Sequence, residues 1–401
     1  MKKMKRDETR RSYALTGVLG IVILALFMPA SIASAAPYAY ITNQGDNTVS
    51  VIDTATNNVT ATVSVGSGPL GVVVSPNGKK LYVANAYDNA TISVIDTATN
   101  TVTSTVSVGG TWPYGVAVSP DGTRLYVAKT DSDTVSVIDT ATNTVTAMVN
   151  VDGSPRGVIV SPDGKKVYVT NYDGACLSVI DTTTNTVTAT VNVGDYPCGV
   201  AVSPDGTKVY VTNAYDDDTV YVIDTGTNTI TATVPVGYRP LGVAVSPDGT
   251  KVYVANNGDN TTSVIDTAIN TVTATVNVGN APEGVAVTPD GKKVYVTNYG
   301  SNNVSVIDTV TNNVSSAVNV GSRPIAIGQF IGPLPVQPVF PVANFSSNVT
   351  KGSAPLTVKF TDLSKNATSW NWNFGDGKNS TQQNTTHTYS TAGNYTVNLT
   401  V

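Results

Sequence analysis

Short apolar segments, separated by polar turns, run through most of the chain. One of them is Val-Tyr-Val-Thr-Asn at 167–171, whose tyrosine recurs in near copies at spacings of 42, 44, 42, 42, 43 and 42 residues. The seven positions are Tyr40, Tyr82, Tyr126, Tyr168, Tyr210, Tyr253 and Tyr295. An almost fixed interval of this kind defines an internal repeat, so the chain contains seven units.

Each unit holds the same four apolar segments: Gly-Val-x-Val-Ser-Pro-Asp-Gly, Val-Tyr-Val-Thr-Asn, Val-Ser-Val-Ile-Asp-Thr and Thr-Val-Thr-Ala-Thr-Val-x-Val-Gly. Segments rich in Val, Thr, Tyr and Ile and bounded by Pro, Gly, Asn and Asp are typical of β-strands. Four strands in about 40 to 45 residues is the period of one β-propeller blade, and no segment has a helical period. The pattern therefore predicts an all-β, seven-bladed β-propeller.

The repeat resembles the YVTN-type β-propellers of archaeal and bacterial surface proteins, which are named for the Tyr-Val-Thr-Asn found here at 168–171 and 210–213. The resemblance covers Tyr38–Ile331 and implies a surface-layer type of protein.

The positions at which the repeat is cut predict how the ring closes. The first unit begins with its second strand at Tyr38, and Pro324–Phe330 stands in the place of a first strand with no unit after it. We predict that this segment completes the first blade, because an incomplete blade would expose a strand edge.

The N-terminal segment predicts export. Six basic residues precede an apolar run over 14–28, and the small residues Ala33, Ser34 and Ala35 follow. The run is short for a hydrocarbon core of about 30 Å, so we predict a signal peptide over 1–35 and a secreted or cell-surface mature chain without a membrane span. Without residues 1–35 the chain keeps 17 basic and 26 acidic residues, a net charge of −9, which disfavours nucleic acid as a partner.

The composition changes after the propeller, which is predicted over 36–331. Four prolines at 332–342 predict an extended linker. Period-2 segments over 343–401 predict a small Ig-like β-sandwich. This part resembles a PKD domain through the Trp-x-Phe-Gly-Asp-Gly signature at 372–377, with Asn373 where the family usually has Asp. The resemblance implies a buried tryptophan and phenylalanine and an adhesive or spacing role. Family members often continue with further domains, which leaves open that this chain is part of a longer protein.

The residue between Pro and Gly-Val at the start of each first strand is the most variable in the repeat. Variation at equivalent places in a repeat protein marks its binding face, so we predict a ligand-binding ring at the mouth of the channel. Neutral drift at exposed loops is the alternative. The ring consists of Leu70, Tyr114, Arg156, Cys198, Leu241, Glu283 and Ile325.

The candidate chemistry is sparse. The single histidine, His387, lies in the PKD segment, so the propeller has no imidazole base or ligand, and we predict no catalytic residue. Amides and carboxylates in the loops after the second strands are Ca²⁺-type ligands, but they are also ordinary turn formers, so no cofactor is predicted and Ca²⁺ remains an alternative. These residues are Asn43, Asn85, Asn171, Asn213, Asn256, Asn298, Asp46, Asp88, Asp131, Asp173, Asp216, Asp217, Asp218 and Asp259.

Cys176 and Cys198 are the only cysteines, and two interpretations stay open. They are buried small apolar residues, or they form a disulfide, since both lie in connections at the same face of the ring and the chain is predicted to be exported.

Acceptor sites for N-glycosylation are dense, above all after the propeller. They are Asn58, Asn89, Asn260, Asn303, Asn313, Asn344, Asn348, Asn366, Asn379, Asn384, Asn394 and Asn398.

These features predict a non-enzymatic extracellular surface-layer or adhesion protein whose partners are other cell-surface proteins or glycans. A receptor for a small ligand, glycan or Ca²⁺ at the channel mouth is the first alternative, and a propeller hydrolase or lyase is the second.

Overall fold

The structure is a computed structural model that describes residues 37–87, 90–215, 217–332, 343–364, 367 and 369–401. The described residues form two compact units, a propeller unit over 37–332 and a C-terminal unit over 343–401. Both are almost entirely β, and the propeller adds one short 3-10 helix at Thr130–Ser132. The predicted signal peptide and all of the predicted linker except Gly332 lie outside the described residues.

The propeller unit contains seven sheets, in each of which strands adjacent in sequence are paired. The first blade holds β1 (Tyr38–Asn43), β2 (Thr48–Asp53) and β3 (Asn58–Ser64), the second β4 (Pro69–Val74), β5 (Lys80–Asn85), β6 (Thr91–Asp96) and β7 (Thr101–Ser107), and the third β8 (Pro113–Val118), β9 (Arg124–Lys129), β10 (Thr134–Asp139) and β11 (Thr144–Asn150). The fourth holds β12 (Pro155–Val160), β13 (Lys166–Asn171), β14 (Cys176–Asp181) and β15 (Thr186–Asn192), and the fifth β16 (Pro197–Val202), β17 (Lys208–Asn213), β18 (Thr219–Asp224) and β19 (Thr229–Pro235). The sixth holds β20 (Pro240–Val245), β21 (Lys251–Asn256), β22 (Thr261–Asp266) and β23 (Thr271–Asn277), and the seventh β24 (Pro282–Val287), β25 (Lys293–Asn298), β26 (Asn303–Asp308) and β27 (Asn313–Asn319).

Burial follows the position of each strand in its blade. The second and third strands of the fourth blade, β13 and β14, are buried on both faces, whereas the fourth strand, β15, exposes its threonines. The apolar faces meet those of the next blade: Tyr168 and Leu177 form one cluster with Val209, Val211 and Ile223 of the fifth blade. The hydrophobic core is therefore divided into layers between blades, which explains why the middle strands read as continuous apolar runs.

Polar contacts of the repeated motif also join the blades. The Oγ1 atom of Thr170 accepts a hydrogen bond from Gly157 N at 2.8 Å and donates one to the carbonyl of Cys198 in the next blade at 2.7 Å. The Nζ atom of Lys166 donates to the carbonyl of Thr225, also in the next blade, at 2.8 Å. The motif thus secures both ends of the blade interface.

The ring closes as predicted. Tyr40 N donates to Phe330 O at 2.9 Å, and Ile325 N donates to Thr42 O at 3.0 Å, so the segment after the seventh blade forms the innermost element of the first. The middle of this segment also contacts the second blade, because Val72 N donates to Ile327 O at 2.8 Å. The closing segment therefore binds the first blade and the blade after it.

The C-terminal unit is a small β-sandwich. Its sheets pair β28 (Phe345–Ser347), β29 (Leu356–Asp362) and β32 (Thr385–Tyr389) on one side, and β31 (Asn379–Ser380), β30 (Asn371–Asn373) and β33 (Asn398–Thr400) on the other. Trp372 and Phe374 are buried between them, as the resemblance implied. The Nε2 atom of His387 lies 2.7 Å from an Asp376 carboxylate oxygen, and its ring stacks on Phe374. His387 thus has a structural role.

The departure from the PKD signature is accommodated in a turn. The Oδ1 atom of Asn373 accepts a hydrogen bond from Gly375 N at 2.9 Å. The amide therefore makes the contact that an aspartate oxygen could make, and the fold is retained.

Candidate functional site

We call the end of the propeller formed by the loops after the second and fourth strands the loop face, and the opposite end the turn face. The predicted ring lies at the loop face, where each member is the second residue of an innermost strand or, for Ile325, its equivalent in the closing segment. In β12, Pro155 pairs with Asn171 and the next pair is Val158 with Val169, so Arg156 lies in a β-bulge. The ring residues are thus set apart from the regular sheet.

The innermost strands converge closely below the ring. A Cβ atom added to Gly115 would lie 2.2 Å from the carbonyl oxygen of Arg156 in the next blade. Glycine is required here because the neighbouring backbone occupies the space of a side chain.

The ring is more buried than the sequence predicted. Leu70, Cys198 and Ile325 are only 2%, 8% and 5% exposed, and the other four members are half-buried. Leu70 and Ile325 pack in one cluster against Tyr114. The converging strands press these residues against one another, so they are not the exposed loop side chains that the drift alternative assumed.

Arg156 is the central charged group of the ring. Its Cζ atom lies 3.3 Å from the ring centroid of Tyr172 and 5.4 Å from that of Tyr114. Its Nη1 atom donates to the sulfur of Cys198 at 3.6 Å, while its Nε is buried without a hydrogen-bond partner among the described residues. The guanidinium is therefore held by aromatic faces and a thiol rather than by a carboxylate.

A second arginine, Arg239, lies two blades further on. Its Nη2 atom donates to the hydroxyl of Tyr215 at 2.6 Å, and its Nε is also buried without a partner among the described residues. Ion pairs in the described part of the chain involve neither arginine. They join Lys165 with Asp163, Lys292 with Asp290, and His387 with Asp376.

Three tyrosines connect the two arginines. The ring centroids of Tyr172 and Tyr196 are 4.9 Å apart, those of Tyr172 and Tyr215 are 6.2 Å apart, and those of Tyr196 and Tyr215 are 5.5 Å apart. We refer to Tyr172, Tyr196, Tyr215, Arg156 and Arg239 as the tyrosine–arginine site. It spans the fourth, fifth and sixth blades.

Glu283, from the seventh blade, faces the same mouth. Burial raises the pKa of its carboxyl to about 7, against the opposing effect of the Arg239 and Arg156 charges. The Nδ2 atom of Asn257 lies 3.5 Å from its Oε1. Burial likewise raises the pKa of the Cys198 thiol, to about 11, which keeps it protonated at neutral pH.

Arg156 is the one residue of this site that the predicted ring contained, and the other four were not predicted. They occupy two further variable places in the repeat: directly before the proline of the first strand, and one or two residues after the last asparagine of the second strand. The variation at these places was a usable indication.

The asparagines considered as Ca²⁺ ligands lie inside the blades. Asn43, Asn85, Asn171, Asn213, Asn256 and Asn298 end the second strands and are fully buried. The amide of Asn256, for example, donates to the hydroxyls of Thr261 and Ser263 at 2.9 Å. Among the described residues no three His, Cys, Asp or Glu side chains come together in a way that could hold a metal ion. Asp88 and Asp216 lie outside the described residues.

In this structure both cysteines are free and buried, which corresponds to the first of the two interpretations. The sulfur of Cys176 lies 3.2 Å from Asn171 Nδ2 and 3.2 Å from an Asp152 carboxylate oxygen, and Cys198 contacts Arg156 instead. Both lie at the loop face, but Cys176 begins a third strand and Cys198 an innermost strand, so they differ in distance from the channel axis.

Most of the predicted glycosylation acceptors are exposed. Asn303 is half-buried, and Asn89 and Asn366 lie outside the described residues. The exposed acceptors are Asn58, Asn260, Asn313, Asn344, Asn348, Asn379, Asn384, Asn394 and Asn398.

A cavity of about 640 Å³ occupies the channel on the turn-face side of the ring. Its walls are Val, Ala, Ile, Gly, Ser and Pro residues of the innermost strands and their turns, with Gln329 from the closing segment. The lining contains no charged side chain, so the charged chemistry of the channel is confined to the mouth.

Fold and site together define a seven-bladed β-propeller with an aromatic and arginine-rich mouth, followed by a PKD domain. Family models match parts of the chain: a YNCE-like beta-propeller at 11–131, the Cytochrome D1 heme domain at 77–202 and 119–237, a seven-bladed lactonase propeller at 224–320, and a PKD domain at 335–401. The chain thus carries a YNCE-like or lactonase-like propeller and a PKD domain.

Solved and curated proteins add two similarities. Hydrazine synthase from Kuenenia stuttgartiensis is 28% identical with a TM-score of 0.62, over 67% of this chain and 92% of that one. A segment of 37 residues is 65% identical to a PE-PGRS family protein of Mycobacterium tuberculosis, and it represents 9% of this chain and 8% of that protein.

The match to a haem-domain model can be tested against the channel. Haem iron is held by His, Cys, Met or Tyr side chains, and the cavity lining contains none of these. The residues of the cavity therefore do not fit a haem group.

Of the described residues, no helix has the length and apolarity needed to cross a membrane.

Proposed function

We propose that this chain is a non-enzymatic extracellular interaction protein of the surface-layer or adhesion type. The propeller presents its loop face to a cell-surface protein or glycan, and the PKD domain serves as an adhesive or spacing module. The observation that carries the proposal is the aromatic surface of the loop face, where Tyr87, Trp112, Tyr196, Tyr215 and Tyr238 are between 37% and 51% exposed.

Exposed aromatic side chains favour an interaction surface for a physical reason. Tyrosine and tryptophan bury a large area on binding, lose little conformational entropy and keep a polar group for hydrogen bonding. Here they are arranged on one end of a rigid ring, and Tyr87 and Trp112 contact each other with centroids 5.4 Å apart. Preorganised aromatic pairs of this kind suit a partner that docks on the loop face.

The export part of the proposal is supported by the PKD domain, a module common in extracellular proteins, and by the exposed glycosylation acceptors. Cell fractionation of the organism that encodes the chain tests it directly, with the protein expected in the envelope or the medium. Recovery in the cytoplasm would refute this part.

Binding to isolated cell envelopes tests the loop face. Replacing Tyr87 and Trp112 with serine is expected to weaken envelope binding by about tenfold or more, because aromatic anchors dominate interface energies. The matched control replaces Ile269 and Val310, exposed apolar residues in turn-face loops, with serine. Equal binding by both variants would contradict the proposal.

A hydrolase or lyase is the second candidate, and Glu283 favours it. A half-buried carboxyl with a pKa raised to about 7 is suited to general acid–base catalysis, and Glu283 lies within the lactonase match at 224–320. A panel of lactones tested with the wild type and a Glu283→Gln variant separates the candidates. Turnover that the substitution abolishes supports an enzyme, and an absence of turnover supports the interaction protein.

A further inference from the structure

The tyrosine–arginine site has the chemistry of a site for an acidic sugar. We propose that Arg156, Arg239 and the three tyrosines bind a carboxylate-bearing sugar unit of a cell-surface glycan. The inference rests on the proposed function, because it names the ligand class for the same loop face.

The two arginines of the site favour an anionic ligand. The guanidinium groups of Arg156 and Arg239 form no ion pair, and each keeps a buried Nε–H without a partner among the described residues. A buried unpaired donor is costly, and the N–H groups of arginine form charge-assisted hydrogen bonds with carboxylates. Arginine also matches a carboxylate with a fork of two donors. An anionic ligand is therefore favoured over a neutral one.

The three tyrosines of the site favour a ligand with a sugar ring. Tyr196 and Tyr215 are 38% and 39% exposed, and with Tyr172 they form an aromatic cluster between the two arginines. Such rings offer apolar faces for the C–H groups of a sugar and hydroxyls for its polar groups. A small inorganic anion would bind the arginines but would not cover the aromatic surface of the tyrosines. The combination fits a sugar ring that bears a carboxylate.

The acidic groups that the structure describes beside Arg239 and Tyr215 have partners of their own. The Oδ1 atom of Asp218 accepts from Arg239 N at 2.9 Å, and the Oδ2 atom of Asp217 accepts from the Tyr221 hydroxyl at 3.0 Å, so both face local donors. Glu283 is the carboxyl that competes for the arginines, and burial favours its neutral form. Removal of its charge should therefore tighten the binding of an anion.

The experiment titrates the full chain with a galacturonate trisaccharide and with the neutral galactose trisaccharide of the same linkage, using calorimetry at pH 7. Binding of the acidic sugar is expected, with an affinity at least about tenfold above that of the neutral one, because one charge-assisted contact is worth roughly a decade of Kd. Arg156→Gln and Arg239→Gln are each expected to lower the affinity by a similar factor, and Glu283→Gln is expected to raise it.

Arg323→Gln is the matched control. Arg323 holds the same place before a proline as Arg239, with φ angles of 54° and 56°, but its guanidinium lies over Tyr299, outside the site. This variant is expected to bind within about twofold of the wild type, because Arg323 lies outside the site. It is a matched control because it removes an equivalent charge at the same kind of backbone position. Thermal unfolding checks that each variant is folded. If Arg156→Gln is not, Arg239→Gln decides.

The outcomes separate the two proposals. Equal binding of the two sugars, or an equal loss in Arg239→Gln and Arg323→Gln, overturns the acidic-sugar inference. Envelope binding without galacturonate binding also overturns it, while the proposed interaction function stands. Galacturonate binding that depends on Arg156 and Arg239 supports the inference, and failure of envelope binding would then count against the proposed function alone.

Discussion

Truncation of Phe330 tests whether the closing segment holds the propeller together. Phe330 is fully buried in a cluster that contains residues of the first, second and seventh blades, and its carbonyl accepts the hydrogen bond from Tyr40 N. A Phe330→Ala substitution removes the side chain but keeps the backbone contact. It is expected to cost about 3–5 kcal/mol, the sum of lost burial and the cavity left behind.

Thermal and urea unfolding, followed by near-ultraviolet circular dichroism, measure this cost. For a unit of this size the expected loss corresponds to a fall in Tm of roughly 10 °C. Val310→Ala is the control, since Val310 belongs to the seventh blade but is 85% exposed. The control is expected to change stability by no more than about 0.5 kcal/mol.

The result that would refute the closure argument is a Phe330→Ala variant as stable as Val310→Ala. Such a result would mean that closure of the ring does not depend on the buried Phe330 side chain.

Three further predictions concern titratable groups. Thiol titration of the unfolded, non-reduced protein is expected to find two free thiols, from Cys176 and Cys198, and finding none would show a disulfide. Because the pKa of Glu283 is raised from 4.5 to about 7, the folded state binds more protons than the unfolded one, so its contribution to stability is full below pH 4.5 and is lost as the pH rises to about 7. Glu283→Gln is expected to flatten urea midpoints over this range, and an unchanged slope would contradict the assignment. Lys129 stands where the other copies of the repeat have an asparagine. Burial lowers the pKa of its ammonium group. The partners of its Nζ atom are the carbonyl of Val108 and the sulfur of Met148, both at 3.5 Å. Lys129→Asn is therefore expected to raise the free energy of unfolding, measured by urea unfolding, by about 1 kcal/mol. A loss of stability would show that the lysine is better accommodated than these contacts indicate.

The fold could be predicted from the sequence because each copy of the repeat contains the strands and turns of one blade, and the same blade is formed seven times. Ring closure could also be predicted, since Pro324–Phe330 fits the one strand that the first blade lacks. The cysteines show the limit of this reasoning. The order of connections places Cys176 and Cys198 at one end of the ring, but their distance from the axis depends on which strand each belongs to.

The site was harder to predict because its geometry depends on an unusual backbone conformation. Tyr196 and Arg239 precede prolines and have φ angles of 57° and 56°. A residue before proline is normally extended, so the sequence alone would direct these side chains elsewhere. In the structure the N–H of Arg239 is held by Asp218, and its side chain reaches Tyr215. Contacts between blades thus select a conformation that local preferences disfavour.

The two ends of the propeller differ in how much the copies of the repeat vary. At the turn face the repeated Ser-Pro-Asp-Gly turns satisfy their own polar groups, as when Ser161 Oγ donates to Asp163 at 2.6 Å, and Lys166 bonds to the next blade. At the loop face the copies differ, and the Nε donors of Arg156 and Arg239 have no partner among the residues that the structure describes. Since the contacts that join the blades involve residues common to the repeats, the loop face can differ between copies without opening the ring. Under the proposed function, substitution of a few mouth residues would change the ligand while the repeated core maintains the fold.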